Sequence, residues 1–158
     1  MKKLLLVIDV QNCFINENTK FLIKKITKLI DSNEYDDILF TKFINSKESV
    51  YYNKLNYKEC IDENDRKLVI KSDNVIEKNT YTAYNNDLIK YIKNNNINEI
   101  YLCGIETECC ILKTAFDLFE NNYNIYVLKD YCACMLGDER HNNAIEILRR
   151  NIGEKSIK

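Results

Sequence analysis

The sequence predicts a three-layer α/β/α domain, a mainly parallel, Rossmann-like sheet with helices on both faces. Two observations carry this. Short continuous apolar runs such as Leu4 to Ile8 have strand length and no alternation, the pattern of a strand covered on both sides. They alternate with segments whose apolar residues recur at helical spacing. Repeated strand–helix order, short loops and right-handed crossovers leave few other topologies. At 158 residues, with no internal repeat or linker, residues 1–158 read as one domain able to bury a core without metals or disulfides.

Leu4 to Ile8 is the first strand, and Asp9 closes it. Phe21, Leu22, Ile26 and Leu29-Ile30 recur as one helix face, and Ile38-Leu39-Phe40 with Phe43 reads as a second strand. The polar, tyrosine-rich stretch from Ser46 to Asp65 gives no clear pattern. Leu68-Val69-Ile70 and Val75-Ile76 are short strand candidates, followed by a helix bearing Leu88, Ile89 and Ile92. Glu99 to Cys103 is the next strand, and Gly104 begins the turn out of it. The helix that follows carries Cys110, Ile111, Thr114, Ala115, Leu118 and Phe119 on one face, with Leu112 and Phe116 apolar elsewhere, which predicts nearly complete burial. Ile125 to Leu128 is a strand ending at Lys129-Asp130, and Ala144, Ile145 and Leu148 mark a last helix.

With 23 basic against 24 acidic residues, the net charge of -1 offers no electrostatic case for nucleic acid. The apolar run near the N-terminus is too short for a signal peptide, and no segment approaches bilayer length, so the expectation is a cytoplasmic protein without a membrane partner. Seven cysteines are an odd number in a chain without a secretory signal, which predicts reduced thiols and no disulfide framework. No CxxC occurs and His141 is the only histidine, so a structural zinc site has little support.

Ligands of such sheets bind beyond the carboxyl ends of the strands. Asp9, Lys78 and Cys110 all fall at such ends, in three separated segments. A carboxylate can take a thiol proton, a nearby cation lowers the thiol pKa, and a helix N-terminus adds its positive dipole end. Thr107 is a candidate N-cap for that helix. Each residue also has a bland reading: cysteine as a small buried hydrophobe, aspartate as a loop cap, lysine as a solvated surface charge.

The surroundings raise the chemical reading. Asp9-Val10-Gln11-Asn12-Cys13-Phe14 resembles the D-x-Q-x-x-F signature of the isochorismatase-like cysteine hydrolases, which include nicotinamidases and carbamoyl amidohydrolases. Lys78-Asn79-Thr80-Tyr81-Thr82-Ala83-Tyr84 is similar to that family's K-x-x-[YF]-[ST]-A-[FY] segment, and Gly104 to Ala115 resembles its G-[VI]-x-T-[DE]-x-C-[VI]-x-x-T-A element. Lys129 to Ala133 and His141 suit its late strand and final helix less specifically.

The resemblance implies that Cys110 is the nucleophile, Asp9 the proton shuttle and Lys78 the electrostatic support, with Cys109 merely packing. It also implies a cis peptide between Ile105 and Glu106, which would turn the N–H groups of Glu106 and Cys110 toward an oxyanion. The histidine-containing metal motif of nicotinamidases has no counterpart between Thr41 and Cys60, so neither a metal nor another cofactor is expected. The implied function is metal-independent hydrolysis of a C–N bond in a small amide, imide or carbamoyl compound through a thioester. The alternatives are a non-catalytic binding protein and a redox-sensing thiol protein. Phe14, Phe43, Tyr81 and Tyr84 are candidate pocket residues beside Glu106, and His141 is expected to cap or pack the last helix. The family resemblance also implies a homo-oligomer, with the 46–65 segment against a partner or over its own pocket.

Overall fold

A computed structural model describes all 158 residues. Its five strands are β1 (Lys3–Ile8), β2 (Asp37–Phe43), β3 (Val75–Lys78), β4 (Glu99–Ile105) and β5 (Asn124–Ala133). They form one parallel sheet of order β3-β2-β1-β4-β5. The central strand β1 is apolar from Leu4 to Ile8 because both its faces are covered there. Leu4, Leu6 and Ile8 point into one core with Leu88 and Ile92 of α4 (Asn86–Asn94), Ala115 and Leu118 of α5 (Leu112–Glu120), and Ile145 and Leu148 of α6 (Asp138–Ile152). Leu5 and Val7, one step out of phase, point into a second core with Leu22, Ile26 and Leu29 of α1 (Phe21–Asp31). Full burial of each such leucine contributes about 1.5–3 kcal/mol. No helix is long and apolar enough to cross a membrane.

Several expectations are corrected. Leu68 forms only an isolated antiparallel bridge to Gln11, and Leu68-Val69-Ile70 is not a strand. Strand β5 does not end at Asp130: its pairing with β4 jumps from Leu102↔Val127 to Gly104↔Cys132, and the bulged strand resumes as far as Ala133. Phe119 is 45% exposed, so α5 keeps a solvent face. The 46–65 region contains α2 (Val50–Leu55), capped by the Ser49 hydroxyl, and the start of α3 (Glu63–Arg66), capped by Asp62.

The thiols are not all free. Cys13 and Cys60 form a disulfide across a Cα–Cα distance of 5.7 Å, although 47 positions separate them in sequence. The fold brings the short 3-10 turn after β1 (Asn12–Phe14) against the loop between α2 and α3, a proximity with no local signature. The other five cysteines are free.

Candidate active site

Three strand ends build the site. Asp9 follows β1 in a left-handed conformation (φ 49°), fully buried. Its backbone N–H donates to Thr41 Oγ1 at 3.1 Å, and the Thr41 hydroxyl donates back to Asp9 Oδ1 at 2.6 Å. Lys78 is the last residue of β3, and its Nζ lies 2.7 Å from Asp9 Oδ2. The same ammonium donates to the carbonyls of Thr80 at 2.8 Å and Tyr81 at 3.0 Å, and to Cys110 Sγ at 3.6 Å. The structure thus brings Asp9, Lys78 and Cys110 together. Gln11 braces the first strand end against the second: its amide nitrogen donates to the Phe43 and Arg66 carbonyls, and its carbonyl oxygen accepts from Phe43 N–H.

Gly104 lets β4 pass close to β1. At its φ of 122°, an added Cβ would lie 2.1 Å from the Ile8 carbonyl oxygen, so no other residue fits without moving a central strand. The next peptide, Ile105–Glu106, is cis. A π-helical turn over Thr107–Ile111 follows and presents Cys110 just before α5. Thr107 is not the N-cap. That position is Glu106, which makes no side-chain cap bond, and the Thr107 hydroxyl instead pairs with His141 Nδ1 on α6 at 2.9 Å. His141 therefore ties the turn bearing Cys110 to the last helix, and burial lowers its pKa.

Electrostatics correct another expectation. Burial and then the Asp9 carboxylate push the Cys110 thiol well above its ordinary range, and Lys78 opposes them without prevailing. The balance favours the thiol over the thiolate. For Lys78, burial works to lower the pKa, but Asp9 and Cys110 together raise it, so the ammonium stays charged.

Beside Cys110 lies a cavity of about 430 Å³. Phe14, Phe43, Tyr81 and Glu106 line it as expected, but Tyr84 does not: it turns to the opposite core and packs on Tyr123 at 6.1 Å. Cys109 is half-buried and lines the cavity beside Cys110 rather than only packing; burial and then Glu106 push its thiol up to about 11. Sequence reasoning missed Tyr51, Leu55 and Tyr57, which bring the 46–65 segment over the protein's own pocket, and Met135 and Leu136 after β5. Burial raises the Glu106 carboxyl, while its bond from Met135 N–H (2.9 Å) works the other way. The donor atoms of Glu106, Glu108 and Cys134 lie within 4.8 Å of one another at this rim. A larger open trough of about 960 Å³ beside β3, lined by Lys42, Glu63, Lys67 and Asp73, touches none of Asp9, Lys78 or Cys110 and so has no part in their chemistry.

The chain is similar over 58 residues, at 40% identity, to isochorismatase family protein 2A of Dictyostelium discoideum; the match spans 35% of this chain and 29% of that relative. Among solved structures, an isochorismatase-like hydrolase from Alkaliphilus metalliredigens superposes with a TM-score of 0.85 at 20% identity, over 97% of this chain and 93% of the other. The nicotinamidase PncA of Bacillus subtilis superposes with a TM-score of 0.82 at 23% identity, over 96% and 97%. These structural likenesses show the fold. Residues 3–155 match the isochorismatase domain, and the chain belongs to the isochorismatase family.

Proposed function

We propose that this protein is a cysteine amidohydrolase that cleaves the C–N bond of a small amide, imide or carbamoyl compound without a metal. The observation that carries the reading is the buried contact of Lys78 with both Asp9 and Cys110, behind a half-open cavity that Cys110 lines. A neutral resting thiol needs a base at the moment of attack, and Asp9 is the carboxylate beside it. In this reading Cys110 Sγ bonds to the carbonyl carbon as its proton passes to Asp9. Backbone N–H groups of Glu106 and Cys110 receive the oxyanion. Collapse breaks the C–N bond, Asp9 hands the proton to the departing nitrogen, and a thioester remains on Cys110. Water, deprotonated by Asp9, then releases the acid and restores the thiol. Lys78 pairs with the Asp9 carboxylate and fixes its orientation.

The isochorismatase family and the fold shared with a nicotinamidase support amide hydrolysis. The metal-free reading rests on the absence of histidine between Thr41 and Cys60. A redox-sensing role fits less well, because oxidation at Cys110 would require the thiolate that its burial disfavours. The test is ammonia release from a panel of small amides and ureas by the wild type, Cys110→Ala and Asp9→Asn, with intact-mass detection of an acyl adduct. Both variants should lose at least about a thousandfold in kcat, and the double variant little more than the worse single. A folded Cys110→Ala protein retaining wild-type turnover would end the nucleophile assignment.

A further inference from the structure

The cavity beside Cys110 has a charge pattern that the bond-breaking chemistry does not use. No lysine or arginine lines it, whereas Glu106 and Glu108 do. Lys78 is not available to a ligand's anionic end, since its ammonium is held by Asp9 and by the Thr80 and Tyr81 carbonyls. Arg140 reaches Glu108 at 3.6 Å and offsets part of its charge, but no basic side chain pairs with Glu106. Much of the remaining wall is aromatic. Tyr51 and Tyr81 meet at 70° with centroids 4.9 Å apart and form a corner rather than a flat plate, whereas the Phe43 ring, 5.3 Å from Tyr51, is already faced by the Lys78 ammonium at 5.1 Å.

Ring faces attract cations through their quadrupole, and such corners suit alkylammonium groups. An anionic substrate would instead meet the Glu106 carboxyl group, with which no basic side chain pairs, in a partly desolvated space. We propose that the site takes a small amide carrying an alkylammonium group at the end remote from the carbonyl, with Glu106 and the aromatic corner as the determinants of that preference. The amide part rests on the hydrolase reading above; the preference for a cation is a property of the cavity and is measurable without turnover.

The test uses two molecules of nearly the same shape, 4-(trimethylammonio)butanamide and 5,5-dimethylhexanamide, which differ in one positive charge, with glutaramate as the anionic comparison. Binding is measured by calorimetry on the full chain and on Cys110→Ala, and ammonia release on the wild type. The cation should bind about tenfold or more tightly than its neutral isostere, and glutaramate more weakly than both. Glu106→Gln should bring the cation-to-neutral ratio toward one, while Glu108→Gln should reduce it less. Equal binding of the isosteres, tighter binding of the neutral or anionic amide, or no detectable binding of the cation at millimolar concentration overturns the proposal. A cation that binds preferentially but is never hydrolysed supports the proposal while counting against the hydrolase reading, so the two failures are distinguishable.

Discussion

Replacing Lys78 by methionine tests how the site holds itself together. The side chains of Lys78 and Asp9 are 1% and 0% exposed, and their charged atoms lie 2.7 Å apart. Methionine keeps most of the volume and removes the charge, leaving the Asp9 carboxylate buried beside a thiol and without a cation. Breaking a buried pair in this way costs about 3–5 kcal/mol. The Thr80 and Tyr81 carbonyls also lose their donor, which adds to the loss wherever water cannot replace it. Against a total stability of about 5–15 kcal/mol, that is a large fraction. The assay is urea unfolding of wild type, Lys78→Met, Asp9→Asn and the double variant. Lys78→Met should be the least stable, and the double variant should recover part of the loss, because no lone charge remains buried. Turnover should fall at least about a thousandfold in all three variants. Lys78→Met within about 0.5 kcal/mol of wild type, the usual scatter of harmless surface changes, would refute the account.

Gly104→Ala should destabilise by roughly 3 kcal/mol or fail to fold, because the new methyl meets the Ile8 carbonyl in a backbone conformation that side chains rarely adopt; thermal unfolding decides, and an unchanged Tm contradicts it. Turnover should survive exhaustive chelation, and added zinc should inhibit by binding the pocket thiols; activity lost on chelation and restored by a divalent ion would reverse the metal-free assignment. The lowered pKa of His141 means that the folded protein binds fewer protons there than the unfolded chain. Its contribution is therefore complete above about pH 6.5 and is lost as pH falls through the folded value. The stability gap between wild type and His141→Asn, measured from pH 7.5 down to pH 5, should accordingly move against the wild type on acidification, and movement in the opposite direction would contradict the burial argument.

The parallel sheet was legible because β1 is apolar at every position from Leu4 to Ile8, the pattern of double coverage. Asp9, Lys78 and Cys110 were legible because strand ends and three spaced motifs marked them. What escaped depended on distance in sequence or on solvent. The bond between Cys13 and Cys60 joins residues 47 apart with no spacing signature. Tyr81 and Tyr84 share one motif, yet one lines the cavity and the other faces the opposite core, a choice made by the path of the chain after β3. Thr107 has the residue type of a cap, but a partner 34 residues away competes for its hydroxyl. The direction of the Cys110 shift was misjudged because a cation and a helix start can be read from sequence, whereas the desolvation that outweighs them cannot.

The proposed attacking group and its partners stand on strand ends or the turn leaving one, held in register by the sheet, while much of the cavity wall is carried by α2, the loop after it and the turn at Met135 and Leu136. The wall is thus encoded partly away from the three strand ends, at Tyr51, Leu55, Tyr57, Met135 and Leu136, and partly beside them, at Phe43, Tyr81 and Glu106. Substitutions at the first group can change which molecules enter without displacing Asp9, Lys78 or Cys110, so a lineage can drift in its ligand while those three stay in place. Grafting a wall segment between relatives is the corresponding engineering route, and the tether from Cys13 to Cys60 marks where such a graft must be anchored.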